Sequence, residues 1–125
     1  MKLKKDSKVI EIAFREIFSR QWYTNQGPMT QKLEEYMQEI HGVRHAIAIA
    51  NEKIARLIIG RLDETFSGDI YSTDHGAILF TDNEQVANKI RNMRSSYGTP
   101  VKIDVPITGN GRMSEAQAVL ILLDV

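Results

Sequence analysis

The chain has 125 residues, 42% hydrophobic and 26% charged, which is the balance of a globular protein, so we expect a single domain over residues 1–125. Sixteen basic residues cancel sixteen acidic ones, so neither nucleic acid nor a membrane is expected as a partner. Cysteine is absent and the three histidines form no zinc motif, which argues against disulfides and a metal site. No apolar run is long enough for a membrane span or for the core of a signal peptide. We therefore expect a cytoplasmic protein.

Two amphipathic helices open the predicted structure. Apolar residues recur at three- and four-residue spacing over residues 7–19, which predicts a helix. Its inward stripe consists of Ile10, Ala13, Phe14, Ile17 and Phe18. Pro28 favours the first position of a second helix, to residue 40, because its missing N–H would be unpaired there anyway. The stripe of that helix consists of Leu33, Tyr36, Met37 and Ile40, and His41-Gly42 predicts its end.

A strand and a third helix follow. Residues 45–50 alternate isoleucine and alanine, which is typical of a strand covered on both faces, and the alanine face predicts a closely packed helix. Residues 52–63 predict a helix. Its inward residues are Ile54, Leu57, Ile58 and Leu62.

A β-hairpin is predicted over residues 68–82. Two apolar runs flank the polar cluster 72–76, which has the residue types of a tight turn.

The last third of the chain predicts two helices. Asp82 with Gln85 has the pattern of a capping box, and Gly98 would end the helix that follows. The inward stripe of this helix consists of Val86, Ile90 and Met93. Residues 99–111 read as irregular, with Val101 and Ile103 in a short extended piece. A second capping box, Ser114 with Gln117, opens a last helix, whose inward residues are Ala116, Val119, Leu120 and Leu123.

Five stretches resemble, in order, the DegT/DnrJ-type pyridoxal-phosphate sugar aminotransferases. The hairpin resembles two strands of that family, and Glu84 to Tyr97 and Gly109 to Ala118 resemble the segments after its seventh strand. The run Trp22-Tyr-Thr-Asn-Gln-Gly-Pro28 resembles the amino-terminal signature, and Gly42-Val-Arg-His-Ala-Ile-Ala-Ile-Ala-Asn51 resembles the first strand.

The resemblance implies pyridoxal phosphate as cofactor, but the residues that would hold it are missing. The family's cofactor lysine lies in the loop that corresponds to residues 72–76, which is short here and has no lysine. The family's Asn-Gly-Thr phosphate turn is Asn51-Glu52-Lys53 here, without the glycine that permits close backbone approach. The strand bearing the aspartate for the pyridine nitrogen has no counterpart. We therefore assign no catalytic, cofactor-binding or metal residue, and no cofactor.

The resemblance also implies the fold. Between Asn51 and Gly68 the chain has one helix where the family has most of its large domain. In the family the first strand lies antiparallel beside the seventh, and the sixth lies on the seventh's other side. We therefore expect an α/β protein, with a small three-stranded mixed or antiparallel sheet flanked by about five helices, a reduced edge of the fold type I aminotransferase sheet. The expected strand order is 45–50, 76–81, 68–72.

Seven residues stay candidates for ligand binding or an interface. They are Trp22, Tyr23, Asn51, Ser72, His75, Asn110 and Arg112. Asn110 and Arg112 precede a capped helix start, which can hold an anion, although a surface ion pair also accounts for Arg112. Trp22 and Tyr23 can stack on a ligand or pack against a second subunit. His75 is either half of an acid–base pair with Asp74 or a plain turn residue.

Two functions remain open. The first is a non-catalytic homologue that acts as an interaction or small-ligand-binding module, its ligand unknown. The second is a pyridoxal-phosphate aminotransferase of nucleotide-linked keto-sugars, with a partner chain that supplies the lysine. A homodimer is expected in either case, because a small sheet cannot cover the apolar stripes of five helices.

Overall fold

The computed structural model describes residues 7–21, 27–62, 66–94 and 111–125. These hold five helices and three strands, in the order α1 (Ser7–Arg20), α2 (Pro28–His41), β1 (His45–Ile49), α3 (Glu52–Arg61), β2 (Asp69–Thr73), β3 (Gly76–Thr81), α4 (Glu84–Arg94) and α5 (Glu115–Asp124). The predicted elements are therefore present, with ends shifted by one or two residues. Gly98, Val101 and Ile103, to which the sequence assigns a helix end and an extended piece, lie outside the described residues.

The three strands form one antiparallel sheet in the order β1-β3-β2. Leu79 of the central strand pairs with Ile47 of β1 on one side and with Ile70 of β2 on the other. The strand order and the α/β fold expected from the sequence are thus confirmed.

Each face of the sheet carries its own layer of helices. Ala46, Ala48 and Ile78 lie in a core with α1, α2 and α5, while Ile47 and Leu79 lie in a second core with α3 and α4. Helix α2 packs on β1 at the alanine face, as the alternation predicts, since small side chains let a helix approach closely. Helix α1 packs on α5 and forms an outer layer.

Local signals set most helix ends. Gly42 adopts the left-handed conformation (φ 64°) that ends α2, and its N–H donates to Gln38. Ser114 and Gln117 form both bonds of the predicted capping box at α5. The prediction for α4 is wrong in its cap. The side chain of Asn83 caps α4 instead, accepting from Val86 N (3.1 Å). The carboxylate of Asp82 accepts from Arg44 N (2.9 Å), just before β1, and so does not cap the helix.

Some predicted inward residues face solvent instead. Phe18 is 63% exposed, Ile40 50% and Leu57 38%. Each lies at the margin of a stripe whose central residues, such as Leu33 on α2, are fully buried. The stripe therefore identifies the inner face, but the width of the covered strip depends on the neighbouring helix.

The outer edge of β1 is closed by side chains. Glu34 of α2 accepts from Ala48 N (2.8 Å), and Arg94 of α4 donates to Ala48 O (2.9 Å) and to Glu34 (2.8 Å). Burial lowers the pKa of Arg94, and the carboxylate of Glu34 opposes that shift. The ion pair thus takes the place of a neighbouring strand along part of this edge.

A buried carboxylate caps α2 from a distant part of the chain. Glu115, at the start of α5, is 1% exposed and accepts from Met29 N, Thr30 N (both 2.8 Å) and Thr30 Oγ1 (2.7 Å). A Cβ at Gly27 would lie 2.2 Å from Glu115 Oε1, so a larger residue there would displace the Glu115 carboxylate. Glu115 therefore joins the starts of α2 and α5, where helix N–H groups favour a negative charge.

Candidate functional site

One end of the sheet brings the described candidates together. The β2–β3 turn at Asp74 and His75, the start of α3 at Asn51, and the segment entering α5 at Arg112 all meet there. Four of the seven predicted site residues belong to this group, namely Asn51, Ser72, His75 and Arg112. The other three, Trp22, Tyr23 and Asn110, lie outside the described residues.

The first turn of α3 holds two polar side chains at this end. Asn51 caps the helix, since its Oδ1 accepts from Ile54 N (2.8 Å). The carboxylate of Glu52 accepts from Arg56 (2.8 Å) on the same helix. The guanidinium of Arg56 and the hydroxyl of Ser72 hold the pKa of Glu52 below its ordinary value. Glu52 is therefore an anion at neutral pH.

Gln117 links the end of β1, the β2–β3 turn and the start of α5 through hydrogen bonds. Its Nε2 donates to Ala50 O (2.7 Å), after β1, and to His75 O (2.6 Å), in the turn. Its Oε1 accepts from Ser114 N (2.9 Å) in the capping box. The sequence reasoning assigned Gln117 only the capping role, because the two carbonyls that it also binds lie 67 and 42 residues away.

The space beside the turn is filled by the chain itself. The side chain of Met113 is fully buried, and a Cβ at Gly76 would lie 2.6 Å from its methyl carbon and 3.1 Å from Ile49 O. Gly76 thus permits a close approach of the turn to the β1 end and to Met113.

His75 and Arg112 both make backbone contacts at this end of the sheet. The His75 ring lies 3.9 Å from Asp124, a longer distance than a hydrogen bond, while its backbone N donates to Thr73 Oγ1 (3.1 Å). Arg112 forms an antiparallel bridge with Ile49, and its charge helps to lower the pKa of Arg94. Within the described ranges, no group of three or more acidic or histidine side chains is placed to hold a metal ion.

An open cleft of about 530 Å³ lies at the opposite end of the sheet. Its lining residues are His41, Val43, Ser67, Gly68, Asp69, Phe80, Thr81, Asp82 and Asn83. The ring of His41 lies 4.6 Å from that of Phe80 at 34°. The sequence reasoning missed this cleft, since its lining comes from separate segments that carry no common motif.

A shallow apolar groove lies between α1 and α2. It has a volume of about 270 Å³ and is lined by Val9, Ile12, Ala13, Glu16, Met29 and Lys32. Ile12 beside it is 56% exposed. In the described residues, no helix is long and apolar enough to cross a membrane.

Comparisons with known proteins agree with the sequence resemblance. The sequence model of the DegT/DnrJ/EryC1/StrS aminotransferase family matches residues 4–59. The crystal structure of DesI in the presence of its TDP-sugar product matches the fold with a TM-score of 0.75 over 98% of this chain, at 15% identity. The chain spans 59% of the length of that DesI chain. No curated protein sequence matches it.

Proposed function

Because residues 4–59 match the DegT/DnrJ/EryC1/StrS aminotransferase family and the fold matches that of DesI, we propose that this chain is an internally shortened, non-catalytic member of that family that acts through protein contacts. The observation that carries the proposal is the β2–β3 turn. Its two residues, Asp74 and His75, join neighbouring strands directly, and neither is a lysine. An aminotransferase needs an amine aimed at the cofactor aldehyde, and this turn offers none.

The side chains around the turn do not fit pyridoxal phosphate. Met113 fills the space beside Gly76, and Gln117 occupies the carbonyls of the turn and of the β1 end. Glu52 places a carboxylate at the start of α3, where a phosphate would need positive potential. Lys53, the lysine beside this turn of α3, is exposed on the helix surface. These features support the proposal that the chain binds no pyridoxal phosphate. A lysine supplied by a partner chain would meet the same filled space beside the turn.

The groove between α1 and α2 supports protein contact as the mode of action. It exposes apolar surface next to Ile12, and its two walls carry opposite charges, Glu16 on α1 and Lys32 on α2. A two-fold axis would bring Glu16 of one copy toward Lys32 of the other, so the groove is complementary to itself. We therefore propose a second copy of this chain as the partner. A cytoplasmic location stays a prediction.

The test of the non-catalytic role is a reaction with pyridoxal phosphate. We expect no visible absorption band that borohydride removes, and mass spectrometry should find no lysine modified in preference to the others. Lys53→Arg is the matched control, because Lys53 lies beside the candidate site. A reducible band with one modified lysine, lost in Lys53→Arg or in another single lysine variant, would contradict the proposal.

A further inference from the structure

The sheet has a second edge, along β2, which is less covered than the edge along β1. Strand β1 is buried from Ala46 to Ile49, whereas every residue of β2 is exposed or half-buried. At the β1 edge, Ala48 N donates to Glu34 and Ala48 O accepts from Arg94. Strand β2 is therefore the side on which the sheet has room for a further strand.

The pairing register decides which backbone groups of β2 point outward. In an antiparallel sheet, the N–H and C=O groups of successive residues point to opposite sides of their strand. Ala48 points its groups away from the sheet, so Ile78, directly opposite in β3, points its own groups the other way, toward Tyr71 of β2. The residues before and after Tyr71, which are Ile70 and Ser72, therefore point their N–H and C=O groups outward.

These outward groups have no hydrogen-bond partner in the part of the chain that the structure describes. Neither backbone nor side-chain atoms there bind the N–H or C=O of Ile70 or Ser72. Strand Asp69–Thr73 also has no lysine, proline or bulge, which are devices that protect an edge, and its register with β3 is uninterrupted. The β2 edge, meaning the outward groups of Ile70 and Ser72, thus offers the hydrogen bonds of a sheet without a strand to accept them.

The cleft at the start of β2 adds negative charge to one end of this edge. Its lining includes Asp69, the first residue of β2, and Asp82, which follows β3. Both residues are exposed, and the described lining residues include no lysine or arginine. Asp69 lies directly opposite Phe80, which also lines the cleft, and Tyr71 lies on the same face two residues further along. A basic side chain beside Asp69 would meet complementary charge there.

We propose that the β2 edge binds an extended segment of another protein, which adds an antiparallel strand to the sheet and places a lysine or arginine in the cleft. In such strand addition, backbone hydrogen bonds give affinity and alternate side chains give specificity. The residue of the segment that faces Tyr71 would be apolar, and the residue two positions later, facing Asp69, would be basic.

The charge of the cleft favours another protein over a second copy of this chain as the partner at the β2 edge. Strand Asp69–Thr73 has no basic residue, so a second β2 would leave the carboxylates of the cleft without a cation in any register. The inference goes beyond the self-association proposed for the α1–α2 groove. That groove shares no lining residue with the cleft or the β2 edge, so the two contacts do not compete.

A short peptide is the probe that tests this inference. Acetyl-Thr-Thr-Val-Ile-Arg-Thr-amide, whose valine would face Tyr71 and whose arginine would face Asp69, is titrated into the ¹⁵N-labelled protein. We expect saturable shifts of the amide signals of Ile70 and Ser72, because these N–H groups gain acceptors. Glutamate in place of the arginine should weaken binding about tenfold, and Asp69→Asn should remove most of that difference.

The loss of single N–H groups separates strand addition from other kinds of contact. Ser72→Pro removes an outward N–H, which proline can replace on an edge strand, and should weaken peptide binding about tenfold or more. Ser72→Ala, the matched control, keeps the N–H and should bind as the wild type does. N-methylation of the peptide's isoleucine, whose N–H would donate to Ile70 O, should likewise abolish binding. N-methylation of its valine, whose N–H points away from β2, should leave the affinity within about twofold.

Several results would overturn the inference. They are the absence of saturable shifts at Ile70 and Ser72, equal effects of Ser72→Pro and Ser72→Ala, equal effects of the two N-methylations, and equal affinity for the arginine and glutamate peptides. Shifts at the same amides that grow with protein concentration, without peptide, would assign the edge to a second copy and overturn the choice of partner. Should Ser72→Pro fail to fold, the two N-methylated peptides carry the test on the wild type.

Discussion

Among the described residues, Glu115 is one of two charged side chains that are buried, and both of its oxygens accept hydrogen bonds from the start of α2. A buried carboxylate is tolerated only when its lone pairs are satisfied. The N–H groups of Met29 and Thr30 do so, and they are themselves groups that a helix start leaves without partners. The Glu115 carboxylate thus satisfies the N–H groups at the start of α2, and these N–H groups satisfy the buried carboxylate. Gly27, which has no side chain, leaves space for the carboxylate.

Glu115→Gln is expected to destabilise the protein by about 3 kcal/mol, because the amide turns a donor toward backbone donors and removes the charge. Urea denaturation at fixed protein concentration measures the loss. Glu84→Gln, which changes an exposed first-turn glutamate, should stay within about 0.5 kcal/mol of the wild type. A loss under about 1 kcal/mol for Glu115→Gln would contradict the role of the carboxylate as a cap.

At the outer edge of β1, side chains and backbone from other elements bind the groups that a further strand would bind. Strand β1 has one neighbouring strand, and its outward N–H and C=O groups at Ala48 are satisfied by Glu34 and Arg94 from two helices. At Ala50 the N–H donates to the backbone oxygen of Gly111, and the carbonyl accepts from the side chain of Gln117. These contacts let the β1 edge end the sheet without an additional strand.

Arg94→Met should cost about 3–5 kcal/mol, since it leaves Glu34 at the edge of β1 without its cation and Ala48 O without its donor. The measurement is again urea denaturation, with Arg56→Met as control. Arg56 belongs to an exposed ion pair with Glu52, and its loss should cost about 0.5 kcal/mol. Equal losses in the two variants would show that the buried pair contributes no more than an exposed one.

At the scale of the whole molecule, the layers leave α1 on the outside. Helix α1 covers α5, and no described element covers the outer face of α1 in turn. Ile12 and Phe18 are consequently more than half exposed. Apolar surface of this kind, next to a groove with opposite charges on its walls, is typical of a face that meets another protein.

Sedimentation equilibrium at micromolar concentration should give twice the 14.2 kDa chain mass, because we propose a dimer through the α1–α2 groove. Ile12→Asp, which places a charge in the groove, should shift the equilibrium to the monomer. Leu57→Asp is the control, since Leu57 is an exposed apolar residue on α3, across the sheet. A wild-type monomer, or equal effects of the two substitutions, would rule out this interface.

The amino-acid sequence by itself determined the elements. Apolar spacing, the stop at Gly42 and the capping box of Ser114 are local signals within one or two turns, and each was confirmed because a helix or strand forms from neighbouring residues. The strand order was predicted from the family resemblance. The site residues Asn51, Ser72, His75 and Arg112 were named individually, and they stay predictions.

Only the tertiary structure decided which groups meet. Glu115 reaches Met29 across 86 residues of chain, Arg94 reaches Ala48 across 46, and Gln117 reaches Ala50 across 67. No local pattern carries such pairings, since they depend on how the layers pack and on which backbone groups remain without partners. For the same reason periodicity placed Phe18 and Ile40 on inner faces, whereas the packing of neighbouring helices left both exposed.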